Sequence, residues 1–374
     1  MKKLKFWTVN LCRLLLAATF LFSGFVKAND PIGTALKIGD YTAAMGLTHL
    51  SGLLALAASF GLALLEFSLG TALLLALNRR LTATLILTLM LLLTALTVWI
   101  YVANPVSDCG CFGDALILTN GQTLLKNLVL LLAAALLMKW YRLQPKLLGE
   151  RYSWLVSMPL MAGIVAYAAY CVYALPVLDF RPFKTGTDLL QARRQTATFD
   201  VVMVYQRGIQ RMQVRLDEPE PDSTWTYIET RRRQTGGQVA SDVKDLYMLD
   251  PQTGSDMADP LLQASGWKLL LVAPDLETAD QGCAGDVNVL CDYAAKHALT
   301  FICLTASDPQ TRSRWTDYTG AEYPFYQSDE RVLRTIVRAN PGLVLLDRGT
   351  VVRKWSNWNL PSEEQLEEIL ATKQ

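Results

Sequence analysis

The chain is predicted to be an α-helical membrane bundle followed by a soluble α/β domain, and three observations carry that prediction. Residues 1–176 are built from long apolar runs with few charges, whereas from about Asp179 the composition is that of an ordinary water-exposed domain. Five of the runs approach the roughly 20 residues that a helix needs to span a bilayer. After the last of them, alternating strand-like runs give way to alternating strand and helix patterns. The 374 residues are enough for two domains, and a net charge of +1 offers no basic field for nucleic acid. The seven cysteines do not suggest a disulfide scaffold in a chain of this size.

The spans are placed at about 8–26, 51–77, 81–103, 122–140 and 154–175. Lys2, Lys3 and Lys5 precede the first, Arg79 and Arg80 separate the second from the third, and Lys139, Arg142, Lys146 and Arg151 follow the fourth. All three clusters fall on one side, which the positive-inside rule makes cytoplasmic. The expectation is a bacterial inner-membrane protein with a cytoplasmic N-terminus and a periplasmic C-terminal domain. A basic start, an apolar run and Val26-Lys27-Ala28 also have the look of a signal peptide, but Arg13 inside the run favours a retained helix. The expected domains are 1–145 (four-helix membrane domain), 146–177 (fifth span), 178–260 (β-rich extension and linker) and 261–374 (α/β domain).

In the soluble part, Phe199–Gln206 and Ile209–Leu216 alternate around Arg207-Gly208 as a hairpin would, and Trp225–Thr230 adds a third strand. Residues 231–260 are polar, with scattered Gly, Pro and Asp, and are expected to be irregular. From Trp267 the order is strand 268–273, helix 286–297, strand 300–305, helix 310–319, helix 329–339, a hairpin of 343–346 and 351–355, and a final helix from Pro361 to Thr372. Ser362 is a candidate N-cap of that helix.

Chemistry concentrates in Asp108-Cys109-Gly110-Cys111-Phe112-Gly113, on the outward side between the third and fourth spans. Two thiols one residue apart can close a small, strained ring, which Gly110 makes accessible to the backbone. Strained, exposed disulfides tend to be the exchangeable ones, so Cys109 and Cys111 are the candidate catalytic pair. Cys171, near the outward end of the fifth span, is a candidate third thiol, with a buried apolar cysteine as its plainer reading; Cys12 lies near the opposite face. Glu66 is a carboxylate inside a span, costly enough to suggest an ion pair or a proton relay. It lies about 16 Å from the cytoplasmic end of its helix and Arg13 about 8 Å from the same face, so Arg13 is its expected partner. Lys27 reads as a snorkelling anchor, and Trp99 and Tyr101 as an aromatic belt that a quinone pocket would share. Neither His49 nor His297 has metal-ligand spacing, and no metal site is expected.

Two resemblances follow from these residues. The stretch from 267 to 372, with Asn340-Pro341-Gly342 just before the hairpin, resembles the thioredoxin fold, whose cis-proline stands where Pro341 does. A thioredoxin carries Cys-x-x-Cys after its first strand, whereas this chain reads Pro274-Asp-Leu-Glu-Thr-Ala-Asp280 there. Cys283 and Cys291, eight residues apart, cannot bridge on one helix, so thioredoxin chemistry by this domain alone is not expected. Phe22-Ser-Gly-Phe-Val-Lys27-Ala-Asn-Asp30-Pro31 and Leu65-Glu66-Phe-Ser-Leu-Gly70 resemble the DoxX family, and Cys109-Gly-Cys-Phe-Gly113 its MauE branch of methylamine-utilisation membrane proteins. This resemblance implies a four-helix membrane bundle related in shape to quinone-coupled disulfide-forming enzymes, and a role in maturing disulfide-rich extracytoplasmic proteins. The expected function is therefore thiol–disulfide redox or maturation chemistry through the Cys-Gly-Cys loop. The expected partners are the lipid bilayer and an extracytoplasmic client protein or thiol carrier. A non-enzymatic assembly factor and a quinone-linked oxidoreductase subunit are the rival readings.

Overall fold

The computed structural model describes residues 2–46, 52–104, 109–145, 152–194, 199–207, 210–215, 224–234, 243 and 245–372. The chain divides into two compact units, Met1–Arg181 and Pro182–Gln374.

Among the described residues, the first unit contains five helices long and apolar enough to cross a membrane. They are α1 (Lys2–Asn29), α3 (Gly52–Leu74), α4 (Arg79–Ala103), α5 (Asn120–Lys139) and α6 (Ser153–Ala174). A further helix, α2 (Pro31–Ala44), is not among the expected elements. It starts where the α1 helix breaks: Asp30 accepts a hydrogen bond from Gly33 N (2.9 Å), and Pro31 occupies the first helical position, where a missing N–H costs nothing. Thr119 opens α5 with a capping box, in which its hydroxyl and the Gln122 side chain satisfy each other's backbone N–H groups. The basic cluster after the fourth span lies partly outside the described residues, at Lys146 and Arg151.

The closest packing is between α1 and α3, and glycine permits it. A Cβ added to Gly24 would lie 2.6 Å from Phe67 N and 2.9 Å from Ala63 O; one on Gly70 would lie 2.7 Å from Leu21 N and 3.2 Å from Ala17 O. Backbone-to-backbone approach of this kind drives helix association where lipid removes any hydrophobic gain. Gly70→Ala is expected to destabilise the unit by about 1–3 kcal/mol, since Leu21 N and Ala17 O belong to backbone and the Leu21 side chain crowds the same position at 2.8 Å; an unfolding midpoint equal to that of the unaltered chain would refute it. The two glycines set an antiparallel register with a visible consequence at the N-terminal end of α3. Ser59 Oγ donates to Pro31 O (2.8 Å), so α1 stops level with a residue seven positions inside α3. That is about 10 Å short of the α3 terminus.

In the second unit, β1 (Phe199–Arg207), β2 (Gln210–Arg215) and β3 (Thr226–Gln234) form an antiparallel sheet ordered β2-β1-β3. The expected turn at Gly208 lies outside the described residues. Helix α7 (Leu189–Arg194) and helix α8 (Ala258–Gln263) are joined by Arg193, which bonds Asp256 and Asp259. Helix α8 and the segment before it lie where an irregular linker is expected. The main sheet is ordered β6-β5-β4-β7-β8, from β4 (Trp267–Ala273), β5 (Thr300–Thr305), β6 (Phe325–Gln327), β7 (Gly342–Asp347) and β8 (Thr350–Ser356). Strands β4, β5 and β6 run parallel, while β7 pairs antiparallel with β4 and β8 with β7. Helices α9 (Ala284–Lys296), α10 (Pro309–Thr319), α11 (Glu330–Ile336) and α12 (Glu363–Thr372) complete the unit.

Strand alternation divides the sheet's side chains between two faces. Leu269, Leu271, Ala273, Cys303, Leu343 and Leu345 form one core with Leu290 and Tyr293 of α9 and Leu366 of α12. Buried Leu270, Val272, Ile302 and Leu304 alternate with them, and α11 packs against the same strands β4 and β5. The peptide bond between Asn340 and Pro341 is cis. A parallel β4/β5 pair, an antiparallel β7/β8 hairpin entered through a cis-proline, and a closing helix define a thioredoxin-like domain. Helix α11 ends at Ile336, three residues short of the expected 339, because Val337 already has extended backbone and starts the approach to β7.

Candidate functional site

The site is assembled from below by α1 and α3. Lys27 and Glu66 are 6% and 3% exposed, and Lys27 Nζ lies 2.8 Å from Glu66 Oε2. The same ammonium donates to Ser23 Oγ (2.7 Å) and to the carbonyl of Cys111 (2.9 Å). An ammonium has three N–H donors, and here each has an acceptor. Ser23, whose hydroxyl accepts from Lys27, donates in turn to the same Cys111 carbonyl (2.9 Å). Two polar side chains of α1 thus hold one backbone atom of the loop.

Two sequence expectations change here. Glu66 pairs with Lys27 and not with Arg13. The α1/α3 register sets Gly24 against Ala63 and Phe67, and so brings the Lys27 end of α1 to Glu66. The same register puts Arg13 level with the other end of α3, where its guanidinium donates to the carbonyls of Leu73 (3.1 Å) and Leu74 (2.9 Å). Those terminal carbonyls have no partner within the helix and suit a cation. Lys27 in turn is no snorkelling anchor: α1 ends short of the N-terminal end of α3, and the lysine is buried against an acid.

The loop itself needs glycine at two places. Gly110 (φ +62°) and Gly113 (φ +51°) adopt the left-handed conformation, and Gly113 N closes the turn on Gly110 O (3.0 Å). The Cys109 and Cys111 sulfurs are 2.8 Å apart and share a hydrogen bond. Cys109 is buried and Cys111 partly exposed. From above, α2 lies on the loop: the Tyr41 hydroxyl donates to the Cys109 carbonyl, and the Lys37 side chain runs beside Gly110. From α5, Lys126 Nζ sits 4.2 Å from the centre of the Phe112 ring, which also packs against Phe22 of α1 at 5.3 Å. Asp108 lies outside the described residues.

This setting separates the two thiols. The hydrogen bond from Cys109, helped by Lys126 and Lys27 and opposed by burial and by Glu66, draws the Cys111 thiol down to about 6. Acting as donor to Cys111, and buried, the Cys109 thiol is pushed up. A thiolate is the exchanging species, so Cys111 is poised to attack and Cys109 to follow.

Cys171 is buried in α6 beside the Tyr167 hydroxyl, which donates to Asn29 Oδ1 (2.8 Å). Among the described residues no hydrogen bond joins it to Cys109 or Cys111. Helices α1, α3 and α6 also border an apolar groove of about 450 Å³, lined by Leu21, Phe22, Phe25, Phe67, Thr71 and Leu160 among others. By composition it suits a hydrocarbon chain, with Thr71 as its polar member. No cluster of three or more His, Cys, Asp or Glu side chains able to hold a metal occurs among the described residues.

The thioredoxin-like domain holds a second arrangement at its cis-proline. Asp280 N donates to Asn340 O (3.0 Å), and the Asp280 carboxylate accepts from Gly282 N (2.9 Å) and Asn357 Nδ2 (2.7 Å). Cys283 is the N-cap residue of α9, with its thiol 3.3 Å from Asp280 O. Asp280-Gln-Gly-Cys283 therefore has the spacing of Cys-x-x-Cys, with aspartate first. Sequence reasoning relates Cys283 only to Cys291; the three-residue spacing in front of a helix is the signal that could have found the pair.

The comparisons agree with the N-terminal half of this description. Residues 5–140 match the profile of the family described as methylamine utilisation protein MauE. The likeness covers most of the first unit and none of the second. No curated protein matches the chain. Among solved structures, the chain is similar to the bacterioferritin comigratory protein of Xanthomonas campestris at 15% identity, over 34% of this chain and 90% of that one, with a TM-score of 0.25. A variant of peroxiredoxin Q from the same organism gives the same identity, coverage and score. At that score these likenesses carry no argument, and the fold of the second unit rests on its strand order.

Proposed function

We propose that this protein is a thiol–disulfide exchange protein of the bacterial cytoplasmic membrane, acting on extracytoplasmic partners through Cys109 and Cys111. The observation that carries the reading is the pair of sulfurs 2.8 Å apart on a loop held by buried lysine and serine side chains. The Cys111 thiolate attacks one sulfur of a partner disulfide. That S–S bond breaks, the departing partner sulfur takes up a proton, and a mixed disulfide to Cys111 remains. Cys109 then loses its proton and attacks Cys111 Sγ, closing the loop disulfide and releasing the partner as a dithiol. Two electrons pass from loop to partner; the reverse sequence oxidises the partner, and relative potentials set the direction. The thioredoxin-like domain, without a cysteine pair of its own, serves to dock the partner. The bias of Lys and Arg supports an outward-facing loop.

Thiol trapping in intact membranes tests the reading. Cys109→Ser, which leaves the mixed disulfide unresolved, is expected to accumulate a reducible adduct through Cys111. An adduct-free Cys109→Ser chain, together with unimpaired function in Cys111→Ser, would sink the proposal. Alkylation of the reduced chain should also depend on pH in an unusual range: with the Cys111 thiol near 6, its labelling rate rises to a plateau by about neutral pH. An ordinary cysteine is still only a few per cent thiolate there. A labelling rate that climbs steadily to pH 9 would contradict the assigned asymmetry.

A further inference from the structure

We infer that Lys27 is a positioning residue of the thiol site: anchored on buried Glu66, its ammonium fixes the Cys111 end of the loop so that Cys111, and not Cys109, meets the partner sulfur. The inference rests on the exchange reading above and deepens it. Three observations carry it. First, the ammonium is fully used, and one of its three bonds goes to the backbone carbonyl of the attacking cysteine itself. Second, α1 and α3 are also joined by backbone contact at Gly24 and Gly70 and by Arg13 on the α3 terminus, so the ion pair is one of several links between them. A buried pair with no other duty would be replaceable by apolar side chains at little cost. Third, the two ends of the loop are held differently: Cys111 by α1, through Lys27 and Ser23, and Cys109 by a neutral hydroxyl from α2.

The groups acting on Cys111 are the neighbouring Cys109, Lys126 of α5, Lys27 of α1 and Glu66 of α3, while Lys37 and Tyr41 of α2 lie against Gly110 and the Cys109 carbonyl and Asp114 follows in the next turn. Lys27 makes a hydrogen bond both to the loop and to a buried counter-charge.

The test is pulse alkylation of the reduced full-length chain in lipid nanodiscs across acid to neutral pH, with labelling at Cys109 and Cys111 quantified separately by mass spectrometry. The informative variant is Lys27→Met/Glu66→Leu, which removes both charges and so avoids stranding either one. Its Cys111-to-Cys109 labelling ratio is expected to fall about tenfold, the equivalent of one pKa unit between the thiols. Ser23→Ala touches no charge and removes one donor to the same carbonyl; its ratio is expected to fall about threefold, the worth of an ordinary hydrogen bond. A folded double variant with the ratio and pH profile of the unaltered chain would overturn the inference. If the double variant does not fold, an unchanged ratio in Ser23→Ala overturns it equally. Alkylation needs no partner, so this result is independent of whether trapping in membranes finds one, and failure of the exchange reading would show there instead.

Discussion

Replacing Lys27 alone by methionine is expected to lower the stability of the membrane unit by about 3–5 kcal/mol, and Glu66→Leu alone by a similar amount. Each single change leaves an uncompensated charge among side chains that are 6% and 3% exposed, with Glu66 about 21 Å along α3 from its N-terminal end. The double change Lys27→Met/Glu66→Leu should recover most of the loss. It falls short by about 1 kcal/mol, because the Cys111 carbonyl and the Ser23 hydroxyl lose a donor. The measurement is a double-mutant cycle on unfolding in lipid nanodiscs or mild detergent. Additive single effects would show that the two side chains do not interact, and would also remove the anchor on which the placement of Cys111 depends.

A disulfide to Cys283 is expected to form in the second unit of an Asp280→Cys variant. The substitution completes a Cys-x-x-Cys motif by spacing alone, at the start of α9 and beside the cis-proline loop. The Cys283 thiol is already within 3.3 Å of the Asp280 backbone carbonyl, and a tight turn brings positions three apart within the reach of a disulfide. The carboxylate removed has partners in Gly282 N and Asn357, so the reduced variant should be less stable by about 1–2 kcal/mol. Mass analysis after mild oxidation, with and without reductant, decides it: two alkylatable thiols at positions 280 and 283 after oxidation would show that the loop cannot close. A variant that does close would give the domain a redox centre separate from the membrane loop, so that the two can be assayed in one chain.

What can be read from sequence follows from the length of each signal. The five spans are legible because some 20 consecutive apolar residues have one physical use in a chain of this composition. Helix α2 escapes notice because 14 residues with Ile32, Leu36 and Ile38 spread along them are too short to span and too weakly periodic to stand out. Its start is nonetheless written in Asp30-Pro31, an N-cap followed by a first-turn proline. Strand β6 has three residues and no pattern of its own; its pairing with β5 defines it. In the membrane site, the chemistry at Cys109 and Cys111 is visible, and so is the oddness of Glu66. Its partner is not, because distances counted from the two membrane faces assume helices of equal height. Only the glycine register reveals that α1 ends short. For the same reason Lys27 looks like an interfacial residue, and Lys126, six residues into α5, carries no sign of its position over Phe112.

The early end of α1 has a steric consequence for whatever meets the loop. With α1 halted level with Ser59 and α2 laid over the loop, Cys111 is only partly exposed. On the exchange reading, small thiols and extended polypeptide segments are therefore expected to react with Cys111 faster than a cysteine on the flat surface of a folded domain, and equal rates for the two would contradict it.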